Sequence, residues 1–288
     1  MKKFKLNMNC NEILHIAESI LKKNFINSPK LESEILLAKV LKVERENLLL
    51  NLNMKLNYNQ KEYYYSLINR RKKKEPIAYI IGYKEFWKKK YLVNKNVLIP
   101  RPDTEVLVEE AIKHIPPDKT FNILDVGTGS GCLLLSILNE RKKCYGTGID
   151  ISKKSISVAK YNAKIQHIKD RVKFLVADVD KFLFGKYDLI VSNPPYIKKH
   201  RVKYLDADVS VYEPRLALDG GRDGLSKLIL LIKKSSILLK NNGKMIIEID
   251  SNQVFSLRLL LRRNNFYINN ISKDLSGRNR CLVCTKLN

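Results

Sequence analysis

The sequence predicts an α/β fold with a mainly parallel sheet, preceded by a small helical bundle and a β-hairpin linker. Three observations support this prediction. From about residue 120 onward, short apolar segments alternate with helical stretches, which is typical of a parallel sheet covered on both faces. Residues 1–75 contain no glycine and place apolar residues at helical spacing. Residues 76–100 are rich in aromatic and β-branched residues, which favours a hairpin.

Residues 1–75 are expected to form the helical domain. Ile13, Ile16 and Ile20 repeat at helical spacing, and Pro29 separates this stretch from a second one. A basic run, residues 70–74, closes the bundle where cations suit the negative end of a helix dipole. Pro76 then stops the helix.

The remaining chain, residues 101–288, is expected to form the sheet domain. Asp103 or Thr104 can cap its first helix. Seven strands are predicted: Phe121–Val126, Tyr145–Asp150, Val172–Ala177, Tyr187–Ser192, Lys244–Ile249, Phe266–Ile271 and Cys281–Lys286.

The charge of the chain permits a polyanionic partner without requiring one. The formal net charge is +25, which suits RNA or DNA. Lysine and asparagine are nevertheless plentiful throughout, and no Arg-rich motif with interleaved aromatic residues occurs. Compositional bias therefore explains the charge at least as well as nucleic-acid binding does.

Cysteine usage and hydropathy indicate an ordinary cytoplasmic protein. The five cysteines are scattered, and the single pair Cys281 and Cys284 lies in an apolar strand, which favours buried free thiols over zinc or redox chemistry. We see no metal-ligand spacing. No apolar run reaches about 18 residues, and the N-terminal segment MKKFKLNMNCNEIL lacks a signal-peptide core.

A glycine-rich loop follows the first predicted strand of the sheet domain. It reads Asp125-Val-Gly-Thr-Gly-Ser-Gly131 and opens an apolar helix. Glycines allow a sharp turn and close approach of a ligand. The spacing differs from the GxGxxG of dinucleotide sites, and Asp125 fits the ammonium group of an amino-acid cofactor. The candidate cofactor residues here are Asp125, Gly127, Thr128, Gly129, Ser130 and Gly131.

Two further carboxylates end the next two strands. Asp150 can accept hydrogen bonds from ribose hydroxyls, and Asp178 can meet an adenine amino group. Because parallel strands end at the same edge of a sheet, where α/β folds place ligands, these residues are expected to line one site.

The fourth strand leads into Asn193, Pro194, Pro195 and Tyr196. Prolines cannot continue a central strand and stiffen the backbone. A planar amide or amino nitrogen is a poor nucleophile, and the Asn193 side-chain oxygen with the Pro194 carbonyl can accept both of its N–H groups. Tyr196 can pack on the flat face. The electrophile would be the sulfonium methyl group of S-adenosylmethionine, with rate gained from orientation.

These motifs together resemble a class I methyltransferase of the amino-group type. The rest of the chain resembles the peptide chain release factor glutamine methyltransferase family. The matching segments are Pro76-Ile-Ala-Tyr-Ile-Ile-Gly82, Leu98-Ile-Pro-Arg-Pro-Asp-Thr-Glu105, Asn193-Pro-Pro-Tyr-Ile197, Glu213-Pro-Arg-Leu-Ala-Leu218, Gly220-Gly-Arg-Asp-Gly-Leu225 and Lys273-Asp-Leu-Ser-Gly-Arg-Asn-Arg280.

The resemblance implies a Rossmann-like, seven-stranded methyltransferase domain that binds S-adenosylmethionine. It implies methylation of the glutamine in the Gly-Gly-Gln loop of release factors, with the N-terminal helices recognising the release factor. Carried onto this sequence, Asn193 contacts both cofactor and substrate, and Asn193 to Tyr196 bind substrate. Val179 stands where the family often has an aromatic residue beside adenine, and Asp250 replaces an expected glycine.

Two alternatives remain open at this point. One is an adenine or guanine amino methyltransferase acting on nucleic acid, which the positive charge favours. The other is a scaffold that binds S-adenosylmethionine without catalysis, which the intact Asn-Pro-Pro-Tyr loop disfavours.

Overall fold

Residues 8–288 form two units in a computed structural model. The first unit contains the described residues up to Gly82 together with Asp206–Tyr212, and the second contains Tyr83–Leu205 and Glu213–Asn288. Residues 1–7, the start of the predicted helical domain and of the segment tested for a signal peptide, lie outside the described residues.

The first unit is helical. Its helices are α1 (Cys10–Lys23), α2 (Pro29–Leu41), α3 (Arg45–Leu50), α4 (Tyr58–Lys72), α5 (Ile77–Ile81) and, much later in the chain, α9 (Ala207–Ser210). The α1 and α4 helices each begin with an asparagine in a capping box, Asn9 with Glu12 and Asn57 with Gln60, which satisfies their first backbone N–H groups.

A buried hydrogen bond and a segment from the other half of the chain complete this bundle. The Tyr64 hydroxyl donates to the Ser33 carbonyl at 2.9 Å. Within the Asp206–Tyr212 segment, the Tyr212 hydroxyl donates to the Lys73 carbonyl at 2.7 Å, and Asp208 lies 3.8 Å from the Arg71 guanidinium. The loop that follows the predicted catalytic residues therefore contributes a short piece to the helical unit.

The second unit opens with an antiparallel hairpin of β1 (Tyr83–Phe86) and β2 (Lys89–Leu92). Phe86 and Tyr91 are buried in the core of this unit, and the Tyr91 hydroxyl shares a 2.7 Å hydrogen bond with Ser136. The hairpin is thus part of the core that supports the sheet.

A seven-stranded mixed sheet forms the centre of the second unit. Its strands are β3 (Asn122–Val126), β4 (Tyr145–Asp150), β5 (Val172–Val176), β6 (Tyr187–Ser192), β7 (Leu239–Glu248), β8 (Phe266–Lys273) and β9 (Asn279–Lys286). The spatial order is β5-β4-β3-β6-β7-β9-β8. The first five are parallel, whereas β9 pairs antiparallel with both β7 and β8.

Helices cover both faces of this sheet. They are α6 (Glu105–His114), α7 (Cys132–Glu140), α8 (Lys153–Ile165), α10 (Ser226–Leu238) and α11 (Val254–Arg263). Residues of α6, α7 and α8 share one apolar cluster, and residues of α10 and α11 share the other. The predicted α/β fold, with its helical bundle and hairpin, is confirmed.

Cys281 and Cys284 are free thiols in the core, as predicted. Among residues 8–288, no helix combines the length and the apolar character that crossing a membrane requires.

Candidate active site

The glycine-rich loop turns sharply between β3 and α7. Gly127, Gly129 and Gly131 all have positive φ, at 74°, 55° and 80°, a region that other residues enter only with strain. The N–H groups of Gly127 and Thr128 both donate to the Ile149 carbonyl, at 2.9 and 3.0 Å. The turn is therefore fixed to the end of the neighbouring strand β4.

Asp150 connects this turn to the next helix. Its two carboxylate oxygens accept from the Gly129 N–H at 3.0 Å and the Ser152 N–H at 2.8 Å. Burial raises the pKa of Asp150, while these two hydrogen bonds oppose the shift. Each oxygen keeps a second lone pair, so the half-buried carboxylate can still accept from a ligand hydroxyl.

Asp125 is almost fully buried at the end of β3, with 1% of its surface exposed. The Thr128 hydroxyl donates to it at 2.6 Å. Burial, with a smaller contribution from the nearby charge of Asp150, raises the pKa of Asp125 to about 7. The single hydroxyl donor only partly offsets the cost of burying this charge. A cationic ligand would therefore be favoured here, because its positive charge would restore the ionised form of Asp125.

Asp178 and Val179 follow β5 at the same edge of the sheet. Asp178 is exposed, and one of its oxygens accepts from the Asp180 N–H at 3.0 Å. Val179 is half-buried and packs against the apolar cluster under α10. Ser130, by contrast, is buried, and its carbonyl accepts from the Asn162 amide at 2.8 Å, so it contributes to the shape of the glycine-rich turn.

The Asn-Pro-Pro-Tyr loop leaves β6 beside that turn. Ser192, the last residue of β6, donates to the Val126 carbonyl at 2.6 Å, which ties the ends of β3 and β6 together. Pro194 is buried, and Asn193 and Tyr196 are half-buried. The structure thus places the candidate substrate loop directly after the strand that neighbours the candidate cofactor loop.

A buried polar network beneath this loop was not predicted from the sequence. The Asn193 amide donates to the Thr104 hydroxyl at 3.0 Å, and that hydroxyl donates to Glu248 at 2.6 Å. The Tyr196 hydroxyl donates to the second oxygen of Glu248 at 3.1 Å. Thr104 was expected to cap α6, but its side chain makes no capping hydrogen bond; the hydroxyl serves the catalytic loop instead.

Burial and neighbouring charges act in opposite directions on the acidic groups of this network. Burial raises the pKa of Glu248, whereas the hydroxyl donors and the charge of Arg280 oppose the shift. Burial raises the pKa of Tyr196 above its usual range, so its hydroxyl stays neutral. Arg280 lies 3.4 Å from the Tyr196 oxygen and is paired with Asp274 at 3.0 Å and Asp103 at 3.4 Å.

The backbone of two glycines, Gly220 and Gly224, packs closely against the same loop. A Cβ atom on Gly220 would lie 2.7 Å from the Pro195 carbonyl oxygen, and one on Gly224 would lie 2.5 Å from the Tyr196 carbonyl oxygen. The Gly220 N–H also donates to the Ile197 carbonyl at 2.8 Å. Both positions lie in a segment that matched the family pattern, so close backbone packing is their structural role.

The site therefore combines a glycine turn, the strand-end carboxylates Asp125 and Asp150, and the Asn-Pro-Pro-Tyr loop at one edge of the sheet. Among residues 8–288, no group of three or more His, Cys, Asp or Glu is arranged to hold a metal ion.

Family models match both units. The model described as the PrmC N-terminal domain matches residues 12–82, and the one described as the methyltransferase small domain matches residues 103–221. A solved structure of ribosomal protein L11 methylase from Lactobacillus delbrueckii subsp. bulgaricus aligns with a TM-score of 0.50 at 23% identity, over 72% of this chain and 90% of that chain. That likeness shows the fold alone.

Curated relatives match nearly the whole chain. The bifunctional methyltransferase of Rickettsia typhi is 37% identical over 296 residues, which is 96% of this chain but only 57% of that protein. The chain thus spans little more than half the length of that relative. The release factor glutamine methyltransferase of Caulobacter vibrioides is 37% identical over 271 residues, covering 94% of each chain. The chain therefore belongs to the release factor glutamine methyltransferase family.

Proposed function

We propose that the protein transfers a methyl group from S-adenosylmethionine to the side-chain amide nitrogen of the glutamine in the Gly-Gly-Gln loop of peptide chain release factors. One observation carries this proposal: the Asn193 amide group is anchored through its nitrogen to Thr104. Its oxygen is thereby left to accept from a substrate, beside a turn suited to the cofactor.

The residues present fit this cofactor. The ammonium of its amino-acid part would restore the charge of the buried Asp125 carboxylate. The free lone pairs of Asp150 suit ribose hydroxyls, Asp178 suits the adenine amino group, and Val179 offers an apolar contact. A Cβ atom built on Gly127 meets no atom within 4 Å, so the turn leaves open space where a ligand can approach the backbone.

The substrate loop would act by orientation. The Asn193 oxygen and the Pro194 carbonyl would accept the two N–H groups of the glutamine amide, and Tyr196 would pack on its flat face. When bound, S-adenosylmethionine supplies an electrophilic methyl group. Holding both N–H groups directs the nitrogen lone pair toward that methyl group, and the proton leaves once the nitrogen becomes cationic. A strong general base is not required.

The direct test is mass spectrometry of a release factor after incubation with the protein and S-adenosylmethionine. We expect one added methyl group on the tryptic peptide that contains Gly-Gly-Gln. DNA and RNA are offered in parallel with a labelled methyl donor. Label in nucleic acid instead of the release factor would overturn the proposed substrate, and cofactor binding without transfer to either would favour a scaffold.

Cofactor affinity is expected to depend on pH through Asp125. Its folded-state pKa is raised to about 7, so the carboxyl group is mostly protonated below that pH and must lose a proton when it binds an ammonium group. Affinity should therefore rise roughly five- to tenfold between about pH 6 and about pH 7.5. Calorimetry in two buffers of different ionisation enthalpy measures both the affinity and the released proton.

Asp125→Asn provides the control, because it cannot titrate. Its affinity for S-adenosylmethionine should be lower and nearly independent of pH over the same range. Equal affinity of the unmodified protein at both pH values, with no proton released, would show that Asp125 does not face the cofactor ammonium.

The N-terminal helical unit is proposed to recognise the release factor, in the cytoplasm where translation ends. Phe25 and Leu50 in this unit are 85% and 81% exposed, so both side chains are accessible to a partner. Phe25→Ser and Leu50→Ser should each raise KM for intact release factor several-fold while leaving methylation of a short Gly-Gly-Gln peptide unchanged. Phe255→Ser, in the second unit and 88% exposed, is the matched control. An equal loss on the short peptide would argue against recognition.

A further inference from the structure

Each hydrogen bond in the network beneath the catalytic loop has a defined donor and a defined acceptor. Asn193 donates to Thr104, and Thr104 donates to one oxygen of Glu248 while Tyr196 donates to the other. Thr104 and Glu248 are 3% and 2% exposed, so these two groups depend on partners within the protein.

The Glu248 carboxylate determines which group donates in each hydrogen bond of this network. Each Glu248 oxygen accepts a hydroxyl hydrogen, one from Thr104 and one from Tyr196, which is the pattern of an ionised carboxylate. A threonine hydroxyl has a single hydrogen, and Glu248 takes it. The Thr104 oxygen is then only an acceptor toward Asn193, and only the NH₂ end of that amide can satisfy it. The oxygen of Asn193 must consequently point to the other side.

We infer that Glu248, acting through Thr104, is a positioning residue that selects which end of the Asn193 amide faces the substrate. This inference rests on the proposed function, because it explains why an acceptor and not a donor is presented. The two ends of an asparagine amide have almost the same shape, so packing alone does not distinguish them. A reversed amide would place its own N–H groups against those of the substrate glutamine.

The neighbouring charged groups of the network are Arg280, Asp103 and Asp274, and they leave Glu248 as the acceptor for Thr104. Arg280 donates to the Tyr196 oxygen, and the carboxylates Asp103 and Asp274 pair with Arg280. Because Arg280 supplies the Tyr196 oxygen with a donor, the hydrogen of Tyr196 remains directed at Glu248. Within this network, Glu248 is therefore the acceptor that takes the Thr104 hydrogen.

Thr104 gives the first test, through one variant that keeps the shape of the side chain and one that keeps its hydroxyl group. Thr104→Val removes the hydroxyl, whereas Thr104→Ser retains one that can both donate and accept. We expect Val to lower kcat on the order of 10- to 100-fold with little change in cofactor affinity, and Ser to restore most of the activity. Equal turnover by Val and Ser variants with matching melting temperatures would overturn the inference.

Reversing the polarity gives the sharper test. Asn193→Asp places two carboxylates on one hydroxyl hydrogen, so kcat should fall strongly. Glu248→Gln alone leaves the amide of Asn193 without a fixed direction, so kcat should also fall. In the double variant, the introduced glutamine can donate to Thr104, and Thr104 can donate to the introduced aspartate, which again presents an oxygen to the substrate. We expect the double variant to exceed Asn193→Asp alone by about tenfold or more.

The outcomes separate this inference from the proposed function. If the unmodified protein does not methylate release factor, the proposed function fails, and the inference is judged by NMR of the Asn193 side-chain NH₂ group. Its protons should exchange slowly in the unmodified protein and rapidly in Thr104→Val. The alternative outcome is that the unmodified protein is active while the double variant shows the full combined loss, so that the reductions in log kcat of Asn193→Asp and Glu248→Gln add. In that case these residues only hold the loop in place, and the inference fails.

Discussion

Asn193→Ala is expected to lower kcat for release factor methylation by about 10²–10³-fold, the usual cost of removing a preorganised hydrogen-bonding group from an active site. The substitution removes one of two acceptors proposed to hold the glutamine amide and leaves Thr104 without its amide donor. The lone pair of the substrate nitrogen then loses its orientation toward the methyl group. Single-turnover methylation at saturating cofactor and release factor measures the effect on the transfer step.

Cofactor affinity should change much less, because the proposed cofactor contacts come mainly from the glycine turn, Asp125 and Asp150. Asn264→Ala is a suitable control, since Asn264 also donates its side-chain amide, to the Leu260 carbonyl at 2.8 Å, but lies at the end of α11. Its turnover should equal that of the unmodified protein. Near-normal turnover by Asn193→Ala would rule out the proposed mechanism, although the fold and the family would stand.

The sheet could be predicted because its strands are apolar and separated by amphipathic helices. Strand boundaries are less accurate where this pattern fails. The sequence predicts that the fifth strand begins at Lys244, but β7 begins at Leu239. The intervening residues are polar and contain Gly243, and the pairing with β6 is irregular there. Leu239 pairs with Tyr187 and regular pairing resumes at Lys244, so residues 240–243 bulge between two paired positions and carry no periodic signal.

Local context also limits the prediction of the linker. Residues 76–100 are expected to form a hairpin, and a hairpin occurs at Tyr83–Leu92, but Ile77–Ile81 form the short helix α5. Five apolar residues are too few to distinguish helical from strand periodicity. Gly82, with φ of 90°, ends the helix by adopting the left-handed conformation that glycine favours.

Only the two loops and the strand-end carboxylates of the candidate site could be predicted from the sequence. Glycine spacing, strand-end carboxylates and the double proline each have a local signature. The network under the loop has none, because Thr104, Asn193, Glu248 and Arg280 are brought together by sheet order and by the antiparallel pairing of β9 with β7. One signal was present: Glu248 is an acidic residue within the apolar stretch of residues 245–249, and a buried carboxylate requires partners.

Gly224→Ala is expected to reduce turnover as severely as a substitution within the catalytic loop, by about 10²-fold or more. Gly224 has φ of 80°, and an added Cβ atom would lie 2.5 Å from the Tyr196 carbonyl oxygen. That neighbour is backbone, and it belongs to the loop that must hold the substrate amide. Relief of the clash requires either Gly224 or Tyr196 to move, and displacements well under about 1 Å already disturb near-attack geometry.

Gly82→Ala separates this steric effect from backbone strain. Gly82 has φ of 90°, and a Cβ atom there meets nothing within 4 Å, so only the cost of a left-handed alanine, about 1–2 kcal/mol, applies. Both variants should lose stability in thermal unfolding, but only Gly224→Ala should lose single-turnover rate at saturating release factor. If the two variants transfer the methyl group at equal rates, the loop tolerates the added atom, and close packing at Gly224 does not set the geometry of the catalytic residues.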